Sequence, residues 1–192
     1  MPLSPIVFCV LGALVFCDIV SRTEMFKDEK PSFHLNHMDL GAQNILVDDD
    51  FNFLAIIDLE FAQTAPVQVN HFPLPFPLIS SNASIREILQ DLKHVAFSNV
   101  SRQTAAQTTC QQKLQDAERN LAQKGRPVVP SIADGLYGPA SRIYAVSEKL
   151  GGSWGTSEEL TYEMVRLAFG FDGDEAKEYL DKMETKMKAQ QG

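Results

Sequence analysis

Cysteine is scarce in this chain and poorly placed for cross-linking. The 192 residues hold only Cys9, Cys17 and Cys110, with no C-x-x-C pair and no zinc-like spacing. So sparse and odd a set argues against a disulfide scaffold. The four histidines, His34, His37, His71 and His94, form no H-E-x-x-H pattern. His34 and His37 stand three apart, but no carboxylate follows at helical spacing, which argues against a metal pair there. Basic runs interleaved with aromatics are missing too. The formal net charge is −8, from 17 Lys+Arg and 25 Asp+Glu, so nucleic acid is not an expected partner. No apolar run reaches the roughly 20 residues of a membrane span, and a membrane partner is not expected.

Glycine is also thin where a nucleotide would need it. Gly12 is the sole glycine before Gly41, so no glycine-rich phosphate loop precedes that point. The later Gly151-Gly152-Ser-Trp-Gly155 matches neither G-x-G-x-x-G nor a Walker A loop and reads as a helix-ending turn.

The longest apolar run is residues 6–17, IVFCVLGALVFC, ended by Asp18. It has the length of a signal-peptide core, about 7–15 residues, but no Lys or Arg precedes it and no A-x-A site follows. Residues 1–25 are therefore set apart as an apolar N-terminal segment. A buried core helix, or a stretch foreign to the native protein, ranks above an export signal. The expected location is cytoplasmic. Secretion is the alternative if residues 1–17 act as a leader, and only then do the sequons Asn82-Ala-Ser84 and Asn99-Val-Ser101 matter.

What the chain does have is a dense polar stretch at residues 34–62, HLNHMDLGAQNILVDDDFNFLAIIDLEFA. Two short apolar runs, 45–47 and 53–57, flank the turn-rich Asp48-Asp49-Asp50-Phe51-Asn52, a hairpin pattern. The first strand starts after Asn44 and the second ends at Asp58, so antiparallel pairing brings these ends together. An amide oxygen and a carboxylate are hard ligands suited to Mg²⁺ carried by phosphates. Asp39, five residues before Asn44, can face the same spot without chelating. That division of labour is the one phosphoryl transfer to a hydroxyl needs: one Asp for the hydroxyl proton, an Asn and a second Asp for the metal. Either Asp alone would read as a cap or a solvated carboxylate; the three together carry the signal. A calcium loop at Asp48-x-Asp50-x-Asn52 fails, because Phe53 and Leu59 stand where glycine and glutamate are required.

The H-x-D-x-x-x-x-N loop from His37 to Asn44, followed by Ile56-Ile57-Asp58, resembles the catalytic and metal-binding segments of the aminoglycoside phosphotransferase and choline kinase-like family, fungal type. The resemblance runs from about Phe26 to the C-terminus and includes Ala65-Pro66 and residues 72–78. It implies the C-terminal lobe of a protein-kinase-like fold over residues 26–192, acting on a small-molecule hydroxyl. By position, Asp39 resembles the catalytic base, Asn44 and Asp58 the ligands of Mg²⁺ and its ATP, and His37 the loop-bracing histidine. Glu60 is acidic where the family often is. The acidic balance suits a cationic acceptor. The 36 residues before His37 leave no room for the strand-rich nucleotide lobe, and Lys27 and Lys30 lie in the exposed-looking FKDEKPSF. A partial phosphotransferase lobe, turning over only with a nucleotide lobe supplied upstream or by another chain, is thus the leading reading, with a non-catalytic kinase-like remnant or binding module as the alternative; ATP binding by this chain is what separates them. Oligomeric state is not legible. Leu59 and Val67 replace the family's common tryptophans, and at buried sites aromatic-to-small changes cost up to about 3–5 kcal/mol.

The fold class expected is α+β, mainly helical, with five or six helices. Residues 63–78 should be irregular, broken by Pro66, Pro73, Pro75 and Pro77. Ser84-Ile-Arg-Glu87 reads as a capping box. Residues 101–124 form a long helix closed by Gly125, and 131–150 one broken helix or two short ones around Gly138-Pro139. Further helices start at Thr156-Ser-Glu-Glu159 and Asp172-Gly-Asp-Glu175, with Met183 and Met187 as core filler.

Overall fold

The computed structural model describes residues 5–27, 33–37, 39–67, 81–150 and 157–189. The expectations for Thr156, for the glycine cluster at 151–155 and for residues 72–78 lie outside these. Seven α-helices and four short strands are present among the described residues: α1 Pro5–Arg22, β1 Phe33–Asn36, β2 Ile45–Val47, β3 Phe53–Ile56, β4 Gln63–Pro66, α2 Asn82–Gln90, α3 Phe97–Gln123, α4 Ile132–Tyr137, α5 Pro139–Lys149, α6 Ser157–Phe169 and α7 Gly173–Ala189. The mainly helical α+β class is as expected. Six of the seven helices, α2–α7, lie within residues 26–192, in line with the five or six expected there; the seventh, α1, is the N-terminal apolar run, and of the two alternatives for 131–150 the structure takes the pair of helices split at Gly138-Pro139.

The core gathers around α1. Phe8, Leu11, Val15 and Ile19 recur at spacings of three and four, which lines them up on one face, and all four are buried. They pack against Ile143 and Val146 of α5 and Leu150 just past its end, Leu160, Met164 and Val165 of α6, and Tyr179, Leu180, Met183 and Met187 of α7. Gly12 sets the approach of α6: a Cβ there would lie 2.7 Å from Leu150 Cδ1 and 2.9 Å from Thr161 Oγ1. Two polar groups in the seam find partners across it. The Cys9 thiol donates to the Leu150 carbonyl at 2.9 Å, and the Tyr179 hydroxyl donates to Asp18 at 2.8 Å. Burial and that carboxylate push the Tyr179 phenol well above its usual range.

The remaining helices are joined by one device used twice, a glutamate set at another helix's N-terminus. Glu118 of α3 accepts from the backbone of Ile132 and Ala133, at 2.7 and 3.0 Å, and from the Ser131 hydroxyl. Glu159 of α6 accepts from the hydroxyls of Ser81 and Ser84 and the Ser81 amide at the start of α2. Next to it, Glu163 accepts from the Asn82 amide and holds Arg166 bidentately. Exposed N–H groups and the helix dipole both favour a carboxylate there. The cap of α2 is Ser81, whose hydroxyl accepts from the Ser84 amide; this corrects the reading of Ser84 as cap. Ser84 instead gives its hydroxyl to Glu159, a partner far away in sequence.

Residues 63–66 are also not irregular. They form β4, antiparallel to β1 with Phe33 opposite Pro66 and Asn36 opposite Gln63. The strand tolerates Pro66 because it lies at the end of a two-stranded ribbon, where a missing N–H costs no ladder bond. Just beyond, Val67 is buried against Gly135, which ties the β part to α4. A Cβ at position 135 would collide with Val67 Cγ2, so valine and glycine fit as a pair. Leu59 is 53% exposed, and its difference from tryptophan removes no core contact.

Two outcomes follow. Gly12→Ala should lower stability by about 1–3 kcal/mol through overpacking of the α1–α6 seam, read as a lower urea midpoint at unchanged slope. Burial pushes the Glu159 carboxyl up, but the hydrogen bonds from Ser81 and Ser84 outweigh it and leave it below the usual range. A folded-state value below the unfolded one means that the carboxylate contributes in full above the unfolded pKa. The contribution is lost as pH falls through the lower, folded value. Wild type should therefore lose part of its stability on acidification, and Glu159→Gln should start about 1.5 kcal/mol lower at neutral pH with a flatter acid limb; urea titrations across pH read both.

Candidate functional site

The polar stretch folds as two separate two-stranded ribbons joined through hydrogen bonds to Ile57. The β2–β3 hairpin pairs Ile45 with Ile56 and Leu46 with Ala55, with an irregularity at Val47. Its turn is closed by Asp48, whose carboxylate accepts from the Asn52 side chain and from the backbone of Asn52 and Asp50. The β1–β4 ribbon lies alongside in sequence, and His37 follows β1 directly. The His37 ring donates through Nε2–H to the Ile57 carbonyl at 2.8 Å, and the Ile57 amide donates to the Asn44 carbonyl at 3.0 Å. Ile57 is thus bonded on both sides, once to each end of the 37–44 loop.

That clamp draws the expected site residues into one neighbourhood. Asn44 is buried and ends a 3-10 turn, Ala42–Asn44. Its amide nitrogen donates to the Asp39 backbone carbonyl at 2.8 Å and reaches the Asp39 carboxylate at 3.4 Å. The loop is tightened further by the Asp39 amide on the His37 carbonyl and the Gly41 amide on the Asp39 carbonyl. Asp58 follows Ile57 directly. The strand ends at Ile56 rather than at Asp58, because Asp58 turns to φ 59° and ψ 57° and opens a second 3-10 turn, Leu59–Phe61. Its carboxylate makes no capping bond to that turn. A left-handed aspartate is uncommon and mildly strained; an exposed carboxylate held that way is available to a ligand. Glu60 is exposed in the same turn.

Sequence reasoning named His37, Asp39, Asn44 and Asp58 but not what joins them. The Ile57 backbone carries no side-chain signal, and neither does the left-handed turn at Asp58. The other His37 nitrogen, Nδ1, is buried without a hydrogen-bond partner. Asn44 and Asp58 are the residues that could hold a cation, with two oxygen ligands between them, fewer than a dedicated protein cage but suited to a metal that brings its own phosphate oxygens. Among the described residues no cluster of three or more His, Cys, Asp or Glu forms a metal site. No family model matches the chain, and neither a curated protein nor a solved structure does.

The clamp predicts its own test. His37→Ala removes the bond to the Ile57 carbonyl, and amide exchange at Ile57 should speed up about fivefold, the equivalent of roughly 1 kcal/mol, with the α1–α6 amides unchanged. Equal exchange at Ile57 in both proteins would mean that the ring holds nothing in place.

Proposed function

We propose that this chain is the acceptor and metal side of an ATP-dependent small-molecule O-phosphotransferase, built as the C-terminal lobe of a protein-kinase-like fold. The supporting observation is the joint placement of Asp39 and Asn44 in contact, with Asp58 one residue beyond the backbone that both His37 and Asn44 grip. In this reading the exposed Asp39 carboxylate accepts the proton of the acceptor hydroxyl, and Asn44, by bonding the Asp39 main chain, keeps that carboxylate turned to the site. The Asn44 amide oxygen and the Asp58 carboxylate would hold Mg²⁺, which when bound offsets phosphate charge. His37 keeps the two halves in register. The acceptor is a hydroxyl compound, and an acidic neighbourhood favours one carrying positive charge. The unpaired cysteines, Cys17 exposed among them, fit the reducing cytoplasm. No helix among the described residues is long and apolar enough to cross a membrane.

A second reading, a non-catalytic binding module of the same ancestry, draws on one observation. Ahead of His37, the described residues are committed elsewhere: α1 packs into the helical core and β1 pairs with β4.

Paramagnetic Mn²⁺ with ATP separates the readings. The first expects selective broadening of amide signals at residues 39–44 and 57–60. Asp58→Gly should abolish that broadening while keeping or raising the melting temperature, since glycine relieves the left-handed strain by up to about 1 kcal/mol. Absence of broadening, or identical broadening in the variant, would favour the binding module.

A further inference from the structure

Among the described residues, much of the β layer is left exposed. Twelve of the seventeen large hydrophobic side chains exposed among the described residues lie between Phe33 and Phe61. Monomeric proteins seldom keep so much apolar surface in one place without a use for it. Phe51 is the extreme case. It sits in the β2–β3 turn, 85% exposed, with φ at 62°. That conformation is costly for a bulky residue and free for glycine. Folding gains no packing from this ring, and it is strained where it stands.

Charge indicates what would cover the surface. Between Lys30 and Arg86 there are six acidic residues, Asp39, Asp48, Asp49, Asp50, Asp58 and Glu60, and no Lys or Arg. Asp48 is held ionised, its carboxyl kept below the usual range by hydrogen bonds from the Asn52 side chain and backbone. A second copy packed face to face would set acid against acid, and an anionic membrane would be repelled in the same way. A two-stranded ribbon is not concave, which disfavours a small ligand. Its outer edges, by contrast, offer unpaired main-chain groups to a further strand.

We propose that the β2–β3 hairpin docks a separate protein through a basic strand, one alternating Lys or Arg with apolar residues. The strand pairs along the hairpin edge, Phe51 anchors it, and Asp49 and Asp50 meet its cations. Exposure and charge carry this proposal, not the phosphoryl-transfer reading, and either can fail without the other.

The probe is a short synthetic peptide alternating lysine with valine, set against its glutamate counterpart and titrated onto the full chain. The lysine peptide should bind, slow amide exchange at residues 45–56, and weaken as salt is added. Phe51→Gly should keep the fold, with an equal or higher melting temperature, and lose about tenfold in affinity, as removal of an anchor does. Asp49→Asn with Asp50→Asn should flatten the salt dependence. The proposal is overturned if the lysine peptide does not bind, if the glutamate peptide binds equally, or if Phe51→Gly leaves affinity unchanged. Protection confined to the helices would also overturn it, and so would a dimer of the chain that Phe51→Gly disperses.

Discussion

Ile57 is bonded at both its amide and its carbonyl, and the candidate site exists because of that. The His37 ring takes the carbonyl and the Asn44 carbonyl takes the amide, so the start and end of the 37–44 loop are fastened to a single point on the returning strand. Each bond is worth only about 1 kcal/mol net. Their joint effect is geometric: Asp58, next in sequence, cannot move without carrying Ile57 with it. The buried His37 and Asn44 side chains are thereby held beneath the exposed Asp39 and next to the start of the Asp58 turn.

The helical part obeys a different constraint, close approach. α1 supplies an apolar face, and Gly12 removes the one side chain that would hold α6 away. Around this dry seam the other helices are attached by carboxylates, Glu118 at α4 and Glu159 and Glu163 at α2. The β layer shares little of that core. Val67 against Gly135 is its buried connection to α4, and most of its apolar side chains face solvent. A helical body thus carries an acidic β part in which Asp39 and Asp58 are exposed and His37 and Asn44 are buried.

Local signals in the sequence were strong where local physics dominates. Period-3.6 apolar spacing marked α7, with Met183 and Met187 buried as expected, and Gly125, at φ 74°, closes the long helix as anticipated. That helix begins at Phe97 rather than 101 because its first turn contains no helix breaker. The Asp/Asn cluster at 48–52 announced the hairpin turn. Signals failed where a distant partner decides. Ser84 resembles a cap, yet its hydroxyl is claimed by Glu159, 75 residues on. Proline at 66 suggested irregular chain, yet pairing with Phe33 makes it the end of a strand.

By itself the sequence determined which residue types stand at which spacing: an unbroken apolar run at 6–17, strands either side of a turn, and the polar set His37, Asp39, Asn44 and Asp58. Periodicity and turn chemistry act over a few residues and need no fold to be read. The tertiary structure alone decided that His37 and Asn44 meet at the Ile57 backbone, that Asp58 is left-handed with no capping bond, and that among the described residues the hairpin stays exposed. Those outcomes rest on backbone hydrogen bonds and packing between segments far apart in the chain, for which side-chain identity leaves no local trace.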